Sequence, residues 1–396
     1  MISKKNVLST LVALTIGSVV ANAGDIKLYQ DANGQVFTTK GEGRTELKKS
    51  APSLASHASK LKFSGLTYLG YTYNDYKDGE TSVSGTDFKE DTSNFEIRRG
   101  YFQLKAYLLD DPKSYYRITF DLHKDGSDTI ARAKYAYLYL NEILPSTGVE
   151  LGLVHRPWHD YEEHNSWYFR DISKVMVEAK NGAHLSNSAD FGFNFKTKTQ
   201  YFDSEIGVFQ GEGYHGEQIG MGMSLEWRAT AHLLGVNGKD KQDTKTYFDV
   251  SFFGQYNQEH IATSATNNDD LIFAGLHTVY NQPSFLVAAQ YIKSEDTADN
   301  STYATKGSGA GYSVNGEYRL GEQKNYRVLV RYDTWTPSVK SGDTEYAQNA
   351  YIAGFAWDQN HNIQWVANAI VTDNKAGSGR EKYNGTAYML TAQVEF

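Results

Sequence analysis

Apolar and polar residues alternate with a period of two along most of this chain, the pattern of strands with two different faces. Tyr116, Ile118, Phe120 and Leu122 alternate with Tyr115, Arg117, Thr119, Asp121 and His123. Ala133, Tyr135, Tyr137 and Tyr139 alternate with Arg132, Lys134 and Ala136, and Phe191, Phe193 and Phe195 with Gly192 and Asn194. Met223, Leu225, Trp227, Ala229 and Ala231 are interleaved with Ser224, Glu226, Arg228 and Thr230. Tyr312, Val314 and Tyr318 alternate with Ser313, Asn315, Glu317 and Arg319, and Tyr326, Val328, Val330 and Tyr332 with Arg327 and Arg331. Helical spacing fits these stretches poorly. They predict sixteen strands, at about 61–73, 94–108, 114–123, 130–141, 148–156, 190–197, 200–210, 220–235, 245–257, 270–281, 284–293, 310–320, 325–335, 346–358, 361–372 and 385–396. Each has about the length a tilted strand needs to cross a bilayer, ~9–11 residues.

The connections alternate as well. After even-numbered segments they are mostly short: 109–113, Gln282-Pro283, 321–324 and Gln359-Asn360. After odd-numbered segments they are long and rich in Gly, Ser, Thr, Asn and Asp: 74–93, 157–189, 258–269 and 294–309. A soluble sandwich has no need of this asymmetry. An outer-membrane barrel has short turns on the periplasmic side and long loops outside. The bilayer supplies no water to satisfy a strand edge, so the sheet must close on itself. The expected fold is all-β: a transmembrane antiparallel β-barrel of about sixteen strands, with apolar side chains toward lipid and polar ones toward a wet lumen. The last strand carries Thr386, Tyr388, Leu390, Ala392, Val394 and Phe396 on one face. A terminal Phe on such a strand resembles the assembly signal of bacterial outer-membrane proteins.

Residues 1–23 differ from the rest. Lys4 and Lys5 precede a mostly apolar stretch from Val7 to Val20, and Ala21-Asn22-Ala23 forms a small-x-small site. This is the form of a secretory signal peptide cleaved before Gly24. Residues 24–59 do not match the barrel pattern and are expected to form a periplasmic or subunit-contact segment, with the barrel at 60–396.

Composition narrows the classes. The chain has 396 residues, 39 Lys plus Arg against 47 Asp plus Glu, a formal net charge of −8 and no cysteine. A disulfide scaffold is excluded, and the acidic balance argues against a nucleic-acid partner. No run of ~20 apolar residues follows the N-terminus, against a helical membrane protein. The mean hydropathy of −0.55 fits a barrel with one wet face.

With these parts in order, the chain resembles a sixteen-stranded trimeric porin of Gram-negative bacteria. It is most similar to the porin family that includes the phosphate-selective O/P-type porins. The residues carrying this are Phe95-Glu96-Ile97-Arg98-Arg99-Gly100-Tyr101-Phe102, Tyr116-Arg117-Ile118-Thr119-Phe120-Asp121 and Gly152-Leu153-Val154-His155-Arg156-Pro157-Trp158. The resemblance implies an outer-membrane location, contact with lipid and lipopolysaccharide, a homotrimer, and a passive channel for ions and small hydrophilic solutes. It also implies that the longest loop, 157–189, folds into the barrel as a constriction. Phosphate-selective members carry a strongly basic lumen, whereas this chain is acidic, so a general diffusion pore is the first expectation. An anion-specific porin is the second, and a barrel-borne adhesin or enzyme the third.

The candidate constriction pairs opposite charges. By strand parity Arg99, Lys105, Arg117, Arg132, Lys134 and Arg156 point into the lumen, and the loop supplies Asp160, Glu162, Glu163 and Asp171. Facing rows of unlike charge across confined water create a transverse field that orients dipolar solutes. His155, His159 and His164 beside these acids have the chemistry of metal ligands but miss the helical HExxH spacing. His155 falls on the lipid-facing parity, and no metal or cofactor is expected. Gly211, Gly213 and Gly216 fit GxGxxG, but a strand follows instead of the required helix, so a flexible outer loop is expected there. No GxSxG, P-loop or cysteine motif points to an enzyme.

Overall fold

The computed structural model describes residues 29–32, 35–46, 58–76, 91–125, 128–214, 222–236, 244–261, 268–296, 308–338, 347–375 and 383–396. The chain forms two units, Met1–His57 and Ala58–Phe396. In the first, β1 (Tyr29–Gln30), β2 (Val36–Phe37) and β3 (Thr45–Glu46) make a small antiparallel sheet in the order β2-β1-β3. The Arg44 guanidinium lies 3.4 Å from the centroid of the Phe37 ring. The signal-like residues 1–23 lie outside the described residues.

The second unit is a closed antiparallel barrel of sixteen strands. These are β4 (Ala58–Tyr76), β5 (Thr92–Leu108), β6 (Tyr115–Asp125), β7 (Asp128–Leu144), β8 (Thr147–His155), β9 (Ala189–Lys198), β10 (Phe202–Phe209) and β11 (Ser224–His232). They continue as β12 (Tyr247–Ile261), β13 (Asn268–Gln282), β14 (Phe285–Asp296), β15 (Gly309–Leu320), β16 (Tyr326–Pro337), β17 (Gln348–Asp358), β18 (Ile363–Asn374) and β19 (Gly385–Glu395). Each strand expected from the alternation has its counterpart. Pairing of β19 with β4 closes the ring, and Gly65 and Phe396 exchange both backbone hydrogen bonds, at 2.8 and 3.0 Å. A Cβ on Gly65 would stand 2.2 Å from the Phe396 ring, so a larger residue there would displace the terminal ring from its present position.

The outer surface follows the alternation. Phe191, Phe193, Leu225, Tyr312, Val314, Val328 and Val330 are all exposed outward, as a lipid-facing band requires. Tyr326, Trp357 and Trp365 lie toward the short-turn end, while the stacked pairs Tyr73–Tyr388 and Tyr332–Tyr351 lie nearer the long loops. These positions suit the two interfacial belts. No described helix is long and apolar enough to cross a membrane.

Tight connections at 109–114, 145–146, 199–201, 283–284, 321–325 and 359–362 gather at one end. Two connections break the expected alternation: 126–127 is short among the long loops, and 233–246 is long among the short turns.

Two bulges alter which side chains face inward. Tyr68 pairs with Arg99 and Leu69 with Ile97, leaving Arg98 as an extra residue. Thr119 pairs with Tyr135 and Phe120 with Ala133, leaving Lys134 extra. One inserted residue reverses parity beyond it. Tyr135, Tyr137 and Tyr139, which the plain alternation sets on the lipid side with Ala133, therefore line the interior together with Arg132 and Lys134. Gly152 stays in register with both neighbouring strands, but its φ of +129° is open to glycine alone. Beyond it Leu153, Val154 and His155 are all buried in succession. His155, expected toward lipid, instead lies 3.1 Å from the Arg117 guanidinium inside the barrel.

Candidate functional site

Residues 156–188, between β8 and β9, enter the barrel. The loop opens with the single short helix of the described residues, α1 (His159–Asn165), whose first turn carries Asp160 and Glu162. Acids there favour the positive end of the helix dipole. The loop has an apolar side, with Trp158, Tyr161, Trp167, Phe169, Val175 and Met176 in one buried cluster. They pack on inward-facing Phe253, Phe273, Ile292, Leu329, Ile352, Val366 and Met389 of β12–β19. The expectation set polar side chains toward a wet lumen; these seven inward residues are apolar, and the loop covers them. Trp158 stacks on Phe253 with centroids 3.7 Å apart and planes at 4°.

Hydrogen bonds then fix the loop backbone around the ring. Arg228 Nε donates to the Pro157 carbonyl at 3.1 Å, Asn315 Nδ2 to that of Ser166 at 2.7 Å, and Arg331 Nη1 to that of Lys174 at 2.9 Å. Tyr161 donates to Asp249 at 2.7 Å. On the far side Arg98 Nε donates to the Asp171 carbonyl at 2.7 Å. Such loops are normally the mobile parts of a fold, but this one is held by apolar packing and at least five separate strands.

The other side of the loop is charged and faces β5–β8. Asp160 lies 3.6 Å from His155, and His164 projects from the helix with 70% of its side chain open to water. Glu163 and Glu178 grip Arg170, and Lys174 Nζ meets Glu178 at 2.6 Å. Opposite stands a wall in which cations lie on tyrosine rings. Arg117 sits 4.7 Å from the Tyr135 centroid, Lys134 4.6 Å from Tyr101, Lys105 4.5 Å from Tyr115 and Arg132 5.3 Å from Tyr214. Cation–π contacts of this kind contribute about 0.5–2 kcal/mol each.

The ten residues picked from sequence divide into two groups. Arg99, Lys105, Arg117, Arg132 and Lys134 lie on this wall, and Asp160 and Glu163 face it. Arg99 and Arg132 share the fully buried Asp121, at 2.6 and 3.6 Å. Arg156, Glu162 and Asp171 are enclosed elsewhere. Arg156 meets Asp190 at 2.7 Å and Glu226 at 3.4 Å. Glu162 accepts from Gln290, and Asp171 from Thr391. These three hold the loop to the barrel and do not meet the open water path.

Sequence parity missed Arg98, which also bonds Glu96 and Thr72 from inside the barrel. The adjacent arginines Arg98-Arg99 were the available signal, since two cations in a row cannot both be inward in a regular strand. It also missed the Lys196–Glu205–Arg228–Asp203 chain, in which successive contacts measure 3.4, 3.1 and 3.4 Å. These residues lie on the consecutive, directly paired strands β9, β10 and β11, where Glu205 stands opposite both Lys196 and Arg228, a register the strand pattern alone did not fix.

Burial and charge shift the loop's titrating groups in different directions. Burial pushes Glu162 up to about 8, partly opposed by Arg331. Burial pushes His159 down to about 3, keeping its ring neutral. Withdrawal from water works against the Asp160 charge, but His155, His164, Lys196 and Arg117 override it and hold the carboxyl well below its usual range. Burial likewise opposes the Glu178 charge, and Arg170 and Lys174 overcome it. Asp160 beside His164 raises that imidazole. The loop therefore keeps Asp160 ionised beside the basic wall and Glu178 ionised against its own Arg170 and Lys174.

The three histidines diverge. His155 approaches Arg117 and Asp160, His159 contacts the Ser186 hydroxyl, and His164 approaches the Asp160 carbonyl. Among the described residues no cluster of three His, Asp or Glu could hold a metal ion. The GxGxxG stretch also differs from the flexible loop expected. Gly211 donates to Asp190 at 2.6 Å and accepts from Arg156 at 2.6 Å, an anchored turn. Gly216 lies outside the described residues.

This closed barrel with an inward loop has the fold of solved outer-membrane porins. OmpF of Salmonella typhi, solved in complex with daunomycin, aligns with a TM-score of 0.58 at 11% identity, covering 85% of this chain and 98% of that one. An anion-selective porin from Comamonas acidovorans aligns at 0.57 and 12% identity, covering 85% and 99%. OmpT of Vibrio cholerae, an outer membrane protein in a trimer form, aligns at 0.56 and 12% identity, covering 85% and 99%. No family model and no curated protein matches the sequence.

Proposed function

We propose that this chain is an outer-membrane porin, a passive water-filled channel for ions and small hydrophilic solutes. One observation carries the reading: a loop locked inside a closed barrel, with Asp160, Glu163 and His164 turned to a cationic wall. The apolar side of the loop seals against β12–β19, so the route for water lies between its charged side and β5–β8. Fixed charges in confined water bounded by low-dielectric walls act strongly on passing ions and dipoles. Arg99, Lys105, Arg117, Arg132, Lys134, Asp160 and Glu163 form the constriction. Arg156, Glu162 and Asp171 maintain its position.

The reading extends to export by a cleaved signal at 1–23, residence in the outer membrane against lipid and lipopolysaccharide, and a homotrimer. The fold shared with a Vibrio cholerae barrel described in trimer form supports the last. Residues 24–59 serve as a periplasmic or subunit-contact segment.

Liposome swelling tests the channel. Vesicles holding the purified protein should swell in small sugars at rates that fall with solute size. A folded barrel that admits none of them contradicts the proposal.

A second, narrower reading is an anion-preferring pore, phosphate-type in the family it resembles. Lys105, Arg117 and Lys134, which lie on tyrosine rings and among the described residues have no carboxylate within 4 Å, favour it. In a salt gradient the reversal potential should then show anion preference, and replacing Arg117 and Arg132 by Ala should shift it toward cations. Clear cation preference in the unaltered protein removes this reading.

A further inference from the structure

Most interior arginines are neutralised. Arg99, Arg156, Arg228, Arg319, Arg327 and Arg331 each have a carboxylate oxygen within 4 Å. One strip is different. Lys62 on β4 stands opposite Lys105 on β5 in the strand register, and Lys105 opposite Arg117 on β6. Among the described residues none of these three has a carboxylate within 4 Å, although Asp160 contributes to the field around Arg117, and Glu150 and Asp160 to that around Lys105. Three adjacent cations repel one another, and a row of this kind is favourable only with water or an anion beside it.

The same strip carries rings. Tyr107, Tyr115 and Tyr139 are half-buried and clustered, with Tyr115 5.5 Å from Tyr107 and 5.1 Å from Tyr139. Lys105 Nζ lies 4.5 Å from the Tyr115 centroid. All lie at the ends of β5, β6 and β7 that adjoin the short turns, the end at which solute leaves toward the periplasm. A compact anion such as phosphate would engage the cations and leave the rings idle. A flat anion engages both: its carboxylate meets the cations, and its ring packs edge or face against the tyrosines.

We propose that this strip is a binding subsite for small planar organic anions, the class of aromatic carboxylates. The inference rests on the channel reading and assigns its exit a solute class. Lys62, Lys105 and Arg117 hold the carboxylate, and Tyr107, Tyr115 and Tyr139 supply the aromatic surface.

Benzoate is the probe. The purified full-length protein in planar bilayers, conducting potassium chloride, is titrated with benzoate, with cyclohexanecarboxylate and with inorganic phosphate. Benzoate should reduce the current at a concentration about tenfold below cyclohexanecarboxylate, the ring contribution expected of such contacts. Lys62→Gln and Tyr115→Leu should each weaken the effect several-fold while potassium chloride conductance persists. Equal effects of all three anions, or none from benzoate on a conducting channel, overturn the subsite and leave the channel standing. Absence of potassium chloride conductance from a folded barrel overturns the channel reading, and the subsite with it.

Discussion

Glu162 is a carboxyl that folding prefers protonated. Its oxygen takes a hydrogen bond from Gln290, and burial pushes it up to about 8 while Arg331 opposes and Asp333 adds to the shift. In the unfolded chain such a group titrates at about 4.3. The stabilisation is thus complete below that value and is lost as pH rises toward about 8. The slope within that window is at most about 1.4 kcal/mol per pH unit. Limited proteolysis of the loop should accelerate between pH 6 and 9, two assay conditions chosen to bracket the upper part of the window at roughly one unit beyond it. Glu162→Gln should flatten that profile; an unchanged profile assigns the pH dependence elsewhere. Arg156 is the opposite case, charged and paired. Arg156 and Asp190 are each 1% exposed and 2.7 Å apart. Arg156→Ala leaves Asp190 without its cation and should cost about 3–5 kcal/mol, read as a lower midpoint of urea unfolding. These roles were hidden in the sequence. Glu162 and Glu163 are adjacent and alike in type, and only the turn of α1 sends one toward Gln290 and the other toward Arg170.

At the scale of elements, the strands were readable because lipid outside and water inside impose opposite demands on alternate residues. The bulges at Arg98 and Lys134 were not, since one extra residue changes parity without changing composition. Tyr135 and Tyr137 show the consequence: a ring suits either a lipid belt or a cation-bearing wall, and its chemistry alone does not choose. The loop was readable as an insertion by its length and its charges. Its apolar underside was in view as Trp158, Trp167, Phe169 and Met176, but its partners come from strands remote in sequence. Trp158 ties the two together through its stack on Phe253. Trp158→Ala should cost about 3–5 kcal/mol locally and loosen the loop's first turn. Single-channel records should then show more current noise or a larger open conductance. Records identical to those of the unaltered protein would show that this contact does not hold the constriction.

The whole molecule is a barrel with a divided interior. On one side of the loop, its apolar side chains pack on those of β12–β19, and inward polar groups there such as Gln290 and Asn315 bond to the loop itself. On the other, charged groups of the loop and of β5–β8 require water. The net charge of −8 gave little warning of a cationic wall, because acids elsewhere in the chain outnumber the local bases. Single-channel recording of the purified protein in planar bilayers addresses the division directly. Uniform ohmic current steps in potassium chloride are predicted, with the step size reduced by Gln103→Trp on the wet wall and hardly altered by Ala288→Val under the loop. A correctly folded barrel that produces no steps, or whose conductance responds to the second change and ignores the first, contradicts the account.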